Sequence, residues 1–226
     1  MNEMIKVDFH VHSIASPDSL STGEKLYRRA KELGLGKLVL TDHNTIAGAL
    51  ELQKSHPDDV IVGEEILTTH GEILALFVQE ELPKRMEPLT AFRQLKEQGA
   101  FIALSHPYAM ARHGWTEAEM EEYLPFLDAI EISNARNRLE MNRAANRFAA
   151  EHGLSGIAGS DAHGVPELGA MGLELPDFHT ADELRESIKS AKVFGKESPL
   201  WVRVYSRGAV MRKAIDPNIG KGEKGI

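Results

Sequence analysis

The chain has 226 residues, of which 42% are hydrophobic and 27% charged, as in an ordinary globular protein with a substantial core. Its formal net charge of −8 argues against a general affinity for nucleic acid, which needs a basic surface, but not against a nucleotide substrate held by a few arginines. The absence of cysteine excludes disulfides and thiolate metal sites, which draws attention to the ten histidines.

No apolar run approaches the roughly 20 residues that a membrane-spanning helix needs. The first residues, MNEMIKVDF, lack the basic, apolar and small-residue regions of a secretory signal. We therefore expect a cytoplasmic protein that does not bind membranes. The sequence leaves its oligomeric state open.

Short apolar runs alternate with helical patterns along most of the chain. The predicted strands are residues 5–11, KLVLTDH, VIVGEEI, GEILALFV, AFIALSH, LDAIEIS and GIAGSD. The predicted helices are STGEKLYRRAKELG, in which Ser21 and Glu24 have capping-box spacing, and residues 46–55, 88–98, 116–123, 139–152 and 180–191. A last apolar run, PLWVRVY, closes the pattern. The TTHG turn predicts that GEILALFV pairs with the strand before it.

This alternation is typical of βα units and predicts a parallel sheet or a barrel. No linker, low-complexity segment or repeat interrupts it, so we expect one domain over residues 1–215. Residues 216–226, rich in Gly and Lys, are expected to form a flexible tail.

Ionisable side chains lie at or just after the carboxyl ends of the predicted strands. They are His10, His12, Asp42, His43, Glu65, His106, Glu131, Asp161 and His163. In β/α barrels the loops at this end converge on one axis, which would bring these residues together. His10 and His12 stand at i and i+2 of a strand and therefore point to the same side. Imidazoles and carboxylates without thiolates suit zinc, manganese or iron, so the pattern predicts a metal site.

Each motif alone has a simpler interpretation. An isolated HxH pair is weak evidence for a metal. Asp161 could cap a helix with His163 exposed, and Glu65 could be a solvated strand end. Glu64 should point away from Glu65, so only one of the two can face a site. The combination of motifs at successive strand ends favours metal binding over these alternatives.

Taken in order, DFHVHS, LTDHN, GEEI, SHP and GSDAH resemble the motifs of the PHP superfamily, the polymerase and histidinol phosphatase metal-dependent phosphoesterases. The resemblance runs from about residue 7 to residue 172. Similarity to the stand-alone members of that superfamily implies an α/β fold, a distorted TIM-like (β/α)7 barrel. It also implies two to three divalent metal ions, manganese, iron or zinc, at the strand carboxyl ends.

The resemblance further implies a ligand set. The ligands of one ion would be His10, His12, Glu65 and Asp161. Glu65 would bridge to a second ion that His106 also binds. The ligands of a third ion would be Asp18, His43 and His163. The family often supplies another histidine to the second ion where this sequence reads HGEILAL; Glu72 occupies that place here, with His70 as an alternative two residues earlier.

Such ions suit hydrolysis of a phosphate ester of a small metabolite or nucleotide. They lower the pKa of a bound water and neutralise phosphate charge, so the reaction inferred is attack of metal-bound hydroxide on phosphorus. No protein nucleophile is needed, and the sequence has neither a cysteine nor a GxSxG elbow.

Arginine forks match phosphate oxygens, and in related proteins arginines in these loops suit phosphate recognition. Arg112 and Arg136 are therefore the predicted phosphate-binding residues, although each alone could be a solvated loop arginine.

Other functions stay open. Amide or lactone hydrolysis at a binuclear site also occurs in β/α barrels with HxH after the first strand. A non-catalytic metal-binding module is a further alternative, since related domains in some polymerases are structural, but the nearly complete ligand set argues against it. Glu131 and Asn134 could either support the site or contact a metal directly.

Overall fold

Strands and helices alternate along residues 3–220, the part of the chain that the computed structural model describes. The strands are β1 (Met4–Asp8), β2 (Leu35–Leu40), β3 (Val60–Leu67), β4 (Glu72–Leu76), β5 (Phe101–Leu104), β6 (Ala129–Asn134), β7 (Ser155–Gly159), β8 (Met171–Pro176) and β9 (Lys192–Gly195). The helices are α1 (Gly23–Glu32), α2 (Ala47–Ser55), α3 (Pro88–Glu97), α4 (Glu117–Tyr123), α5 (Leu139–His152), α6 (Ala181–Ser187) and α7 (Arg203–Ile215). None of these helices is long and apolar enough to cross a membrane.

The strands form one sheet in the order β7-β6-β5-β4-β3-β2-β1-β8-β9. Beyond β1 the chain continues alongside the segment that follows β7: the Phe9 amide donates to the Ala158 carbonyl and the His12 amide to the Ala162 carbonyl. The first seven strands thereby curl into a nearly closed barrel, and β8 and β9 extend the sheet past β1. The predicted distorted TIM-like barrel is confirmed.

One strand of the barrel runs against its neighbours. β4 is antiparallel to both β3 and β5, whereas β1 to β3 and β5 to β7 pair in parallel. The link from β3 to β4 is a short turn, too short for the crossover that a parallel strand requires. The predicted pairing across TTHG is therefore confirmed. As a result, the start of β4 meets the carboxyl end of β3 and delivers Glu72 to that end.

The amino-terminal end of the barrel is covered by α6. Arg185 donates to the Ala100 carbonyl and pairs with Asp128, which lie just before β5 and β6. Phe178 and Leu184 join the buried apolar cluster that contains Val7 and other inward-facing strand residues. The amino-terminal end of the barrel is thereby filled by side chains of α6 and of the segment before it.

Several elements differ from the sequence prediction. Helix α1 is capped by Thr22, whose side chain accepts from the Lys25 amide, and not by Ser21. Strands β8 and β9 were not predicted. The apolar run PLWVRVY forms a 3₁₀ turn and the start of α7. Residues 221–226 of the expected flexible tail lie outside the described residues.

Candidate metal centre

The residues predicted to bind metal converge at the carboxyl end of the barrel. They are His10, His12, Asp18, His43, Glu65, Glu72, His106, Asp161 and His163. Three groups among them place their nitrogen or oxygen ligand atoms within 4.8 Å of one another: His12, His43 and His163; His10, His12 and Asp161; and His43, Glu65 and Glu72. All except Asp18 and His43 are buried, so the cluster is a pocket with one more accessible side.

The Glu65 carboxylate lies at the middle of this cluster. Its Oε1 is 3.3 Å from His10 Nε2 and 3.1 Å from His106 Nε2. Its Oε2 is 3.4 Å from His12 Nε2 and 3.0 Å from His43 Nδ1. Each oxygen therefore faces two imidazoles, an arrangement that can bridge two cations.

Neighbouring glutamates of β3 point in opposite directions, as predicted. Glu65 faces the cluster, where its Oε1 also accepts from the Ser105 hydroxyl at 2.6 Å. Glu64 accepts from the Leu82 amide on the other side of the strand. Burial raises the pKa of Glu64 to about 8.

A carboxylate orients the His10 imidazole. His10 Nδ1 lies 3.0 Å from Glu131 Oε1, while Glu131 Oε2 accepts from the His106 amide and from Asn134 Nδ2. Because the Glu131 carboxylate can only accept, we assign the proton of neutral, metal-binding His10 to Nδ1, which would leave its Nε2 lone pair directed into the cluster. Glu131 is thus a supporting residue, and Asn134 links it to Asp161 through a second Nδ2 contact of 3.1 Å.

A hydroxyl and a second carboxylate orient His12 in the same way. The Ser16 hydroxyl donates to Asp42 at 2.9 Å and lies 3.1 Å from His12 Nδ1. Its oxygen also accepts from the His43 amide. Asp42 accepts in addition from the amide and hydroxyl of Ser13, so this motif aspartate holds the ligand-bearing loop and does not face the cluster.

The outer part of the cluster is formed by Asp18, His43 and His163. Asp18 Oδ2 lies 2.8 Å from His163 Nε2 and 3.5 Å from His43 Nε2. The other ring nitrogen of His163 contacts the Asp161 carbonyl at 2.9 Å. Asp161 itself adopts a positive φ of 53°, a left-handed conformation that is uncommon outside glycine but that Asp adopts more readily than most residues.

Glu72 belongs to the cluster and His70 does not. Glu72 Oε2 lies 3.4 Å from His106 Nε2, and burial together with the charge of Glu65 raises the Glu72 pKa to about 9. His70 is 44% exposed and pairs with Glu119. The carboxylate therefore occupies the place for which the sequence offered two alternatives.

Two observations test whether these residues fit metal ions. Four buried polar atoms of the cluster have no hydrogen-bond partner: His10 Nε2, His12 Nε2, Asp18 Oδ1 and His106 Nδ1. Such atoms are costly unless they are paired, and a cation beside Glu65 would pair His10 Nε2 and His12 Nε2, which both face that carboxylate. Burial by itself lowers the pKa of His10, yet the charges of Glu65, Asp161 and Glu131 outweigh it and hold that pKa well above its ordinary value. An electronegative pocket with nitrogen and oxygen donors fits divalent ions.

The two predicted phosphate-binding arginines lie in different surroundings. Arg112 reaches the cluster, where it donates to Asp161 and to Asn137 Oδ1, and its side chain is 31% exposed. Arg136 is buried and donates through Nε to Glu167 at 3.0 Å. Glu167 also accepts from the His163 amide. The structure thus brings Arg112 to the predicted ligands, but not Arg136.

Sequence reasoning did not assign the supporting roles of Ser16, Asp42 and Glu167. The serine-rich segment HSIASPDS was the only local signal for Ser16. The pairing of Glu167 with Arg136 spans 31 positions and is not visible in a single sequence.

Comparison with known proteins agrees with this geometry. Residues 8–124 match the family described as PHP domain, and residues 140–193 match a PHP-associated family. The chain belongs to the PHP domain family. The PHP family is metal-dependent, and both matched segments contribute to the cluster described above.

Two relatives are uncharacterized proteins of Methanocaldococcus jannaschii. One is 33% identical over 162 residues, which is 65% of this chain and 93% of the relative. The other is 31% identical over 197 residues, 82% of this chain and 79% of the relative. The similarity to the second relative extends over most of the PHP fold.

Solved structures share the fold at low sequence identity. A two-domain protein containing a predicted PHP-like metal-dependent phosphoesterase from Bacteroides vulgatus has a TM-score of 0.70 and 20% identity, covering 86% of this chain and 66% of that one. A candidate metal-dependent phosphoesterase from Bifidobacterium adolescentis has a TM-score of 0.63 and 18% identity over 81% and 95% of the two chains. An amidohydrolase from Chromobacterium violaceum, with bound sulfate and no metal, has a TM-score of 0.55 and 17% identity over 70% and 87%. At these identities the likeness shows the fold.

Proposed function

We propose that this PHP protein is a metal-dependent phosphoesterase that hydrolyses a phosphate ester of a small metabolite or nucleotide. The observation that carries the proposal is the Glu65 carboxylate, whose two oxygens each face two imidazoles of a buried, electronegative pocket. The names of the structural neighbours, predicted or candidate phosphoesterases, support the same reaction class.

The proposed ligand set follows the positions of the side chains. One ion would be held by His10, His12, Glu65 and Asp161, a second by Glu65, Glu72 and His106, and a third by Asp18, His43 and His163. Two to three divalent ions, when bound, would lower the pKa of a coordinated water and neutralise the charge of the phosphate. Manganese, iron and zinc all suit this donor set.

The chain's own residues would bind and orient the substrate. Arg112 has a partly exposed guanidinium at the edge of the cluster, and its fork matches two phosphate oxygens. Asn137 holds one end of that fork through its Oδ1. Phosphate binding by Arg136 would require it to leave Glu167, so we assign Arg136 to the support of the His163 loop.

Three serines beside the cluster have their hydroxyls engaged by carboxylates. Ser13 and Ser16 donate their hydroxyl protons to Asp42, and Ser105 donates to Glu65. A serine nucleophile requires a base such as histidine to take its proton in a productive arrangement. These three hydroxyls are used in fixing the ligands, which supports hydrolysis without a covalent intermediate.

The alternative of amide hydrolysis has less support. Among residues 3–220, no lysine forms an ion pair with a carboxylate of the cluster. These contacts therefore show no counterpart of the metal-bridging lysine that some binuclear hydrolases use. The likeness to an amidohydrolase concerns the fold alone.

Metal content and phosphate release, measured on the same samples, test the proposal. His12→Ala and Asp161→Ala should lose both bound metal and hydrolysis of a small ester panel. The matched controls are His179→Ala and Asp182→Ala, whose side chains are 62% and 92% exposed and lie outside the cluster. Folded wild-type protein that binds no divalent metal would overturn the metal site, and metal-loaded protein that releases phosphate from no ester would favour a non-catalytic module.

A further inference from the structure

The carboxyl-terminal helix α7 forms one wall of a groove beside the proposed metal centre. It lies outside both segments matched by the PHP families, which end at residue 193. Its residues Ser206, Arg207, Val210 and Met211 line a groove whose opposite side is Asp18. Because Asp18 belongs to the outer part of the cluster, the groove adjoins the proposed metal centre.

Contacts at both ends of α7 fix its place relative to the cluster. Lys213 Nζ donates to the Ile14 carbonyl at 2.6 Å and to the Ser16 carbonyl, in the loop that carries Asp18. Nearer the start of the helix, the Ser206 hydroxyl accepts from Arg136. The wall is therefore attached to the loops that follow β1 and β6.

The groove has a distinct chemical character. Val210 and Met211 are 51% and 67% exposed, which leaves apolar surface facing the groove. Arg207 is exposed as well, and no carboxylate of residues 3–220 forms an ion pair with it. Asp18, the other charged residue of the groove, is a proposed metal ligand, so in metal-loaded protein Arg207 would supply the charge available to a ligand in the groove.

A second groove, beside His43, has no preference for one sign of ligand charge. It is lined by Glu81 and Lys84 together with Leu82 and Pro83, so both signs of charge are present. Glu81 is also engaged by the Ile46 amide and the Thr45 hydroxyl at the start of α2. The charge of this groove therefore gives no preference for one sign of ligand.

We propose that the α7 groove binds the leaving group of the substrate, and that this leaving group carries an anionic substituent next to an apolar portion. Arg207 would pair with the anion, while Val210 and Met211 would cover the apolar part. The inference rests on the proposed phosphoesterase function and names its substrate class. It disfavours esters whose leaving group is an amine cation, because Arg207 would repel them.

Three aryl phosphonates that share one aromatic core provide the direct test: phenylphosphonate, 4-carboxyphenylphosphonate and 4-(aminomethyl)phenylphosphonate. Their binding to the manganese-loaded full-length protein is measured by calorimetry at low salt, and turnover of the corresponding phosphates is measured in parallel. For one partly exposed charge pair we expect the carboxyl compound to bind about three- to five-fold more tightly than the aminomethyl compound. Salt should reduce the ratio.

Variants of α7 assign the effect to the groove. The affinity ratio of the carboxyl compound to the aminomethyl compound should fall to about one in Arg207→Gln and reverse in Arg207→Glu. The ratio should be unchanged in Arg212→Gln, because Arg212 is an exposed cation of the same helix that lies outside the groove. Met211→Ser should reduce the preference for phenylphosphonate over methylphosphonate by about five-fold.

The outcomes separate the two proposals. Equal ratios in wild type and Arg207→Gln, with phosphonates still bound, would overturn the α7 subsite and leave the phosphoesterase intact. Metal-loaded protein that binds no phosphonate and hydrolyses no ester would overturn the proposed function and the subsite with it.

Discussion

Glu131 accepts a hydrogen bond from His10 Nδ1 at 3.0 Å although the two residues lie 121 positions apart. The same carboxylate accepts from the His106 amide, so one buried acid orients one predicted ligand and fixes the backbone of another. Partners of this kind commonly change metal affinity when they are removed, even though they do not contact the ion.

Glu131→Gln should therefore weaken manganese binding about 10- to 100-fold, because the amide NH₂ cannot accept from both donors. Calorimetric titration with Mn²⁺ would measure the affinity, and circular dichroism would confirm the fold. Glu140→Gln, at an exposed position in the first turn of α5, is the matched control. An affinity equal to that of wild type would show that Glu131 does not orient His10.

Ser16→Ala should lower both stability and metal affinity. It removes the contact with His12 Nδ1 and leaves the His43 amide without its acceptor, at a cost of about 1–3 kcal/mol for an unpaired buried group. Urea unfolding of metal-free protein measures the first effect, and Mn²⁺ titration the second. Ser55→Ala, at an exposed position at the end of α2, should change neither. A normal affinity in Ser16→Ala would remove Ser16 from the support of His12.

Glu72→Gln should raise the stability of metal-free protein and weaken metal binding. In metal-free protein the buried Glu72 faces the charge of Glu65, which raises its pKa to about 9, so its ionised form opposes folding as the pH rises above the ordinary glutamate range. The amide should stabilise metal-free protein at pH 8 by about 1 kcal/mol and weaken Mn²⁺ binding about tenfold. Urea unfolding with chelator present measures the expected gain in stability, and Mn²⁺ titration measures the expected loss of affinity. A variant less stable than wild type without metal would contradict this prediction.

Lys213→Met should loosen the loop that carries Asp18. The ammonium donates to two carbonyls of that loop, so its loss should weaken one metal equivalent about tenfold while the others keep their affinity. Native mass spectrometry and calorimetry would count the equivalents. Arg212→Met changes the neighbouring exposed cation and serves as the control. Unchanged binding of every equivalent would show that α7 does not support the cluster.

The two predicted phosphate-binding arginines should respond differently to the change to Gln. Arg112→Gln should raise KM for an aryl phosphate about tenfold or more, because a charged donor at the edge of the cluster is lost. Arg136→Gln leaves buried Glu167 unpaired and should lower the free energy of unfolding by about 3 kcal/mol. Steady-state kinetics and urea unfolding of both variants would distinguish the roles. A large KM effect of Arg136→Gln without loss of stability would restore it as a phosphate-binding residue.

The barrel could be predicted from the sequence because the relevant signals are local. Strand and helix periods alternate, and the i, i+2 spacing of His10 with His12 predicts that both point to one side of an extended segment. The same local signals missed β8, β9 and the helical character of PLWVRVY. β8 and β9 lie side by side and antiparallel beyond β1, and that pairing depends on distant strands.

The sequence by itself determined which residue types stand at the strand ends, and so the chemistry available to the predicted metal centre. Only the tertiary structure decided how those residues are supported and which side chains line the groove beside them. It placed Glu131 against His10, held Arg136 with Glu167, and set Arg207 of α7 opposite Asp18. The physical reason is that local sequence fixes the direction of a side chain along its own strand, whereas hydrogen bonds and grooves between distant segments exist only after the sheet has curled and closed.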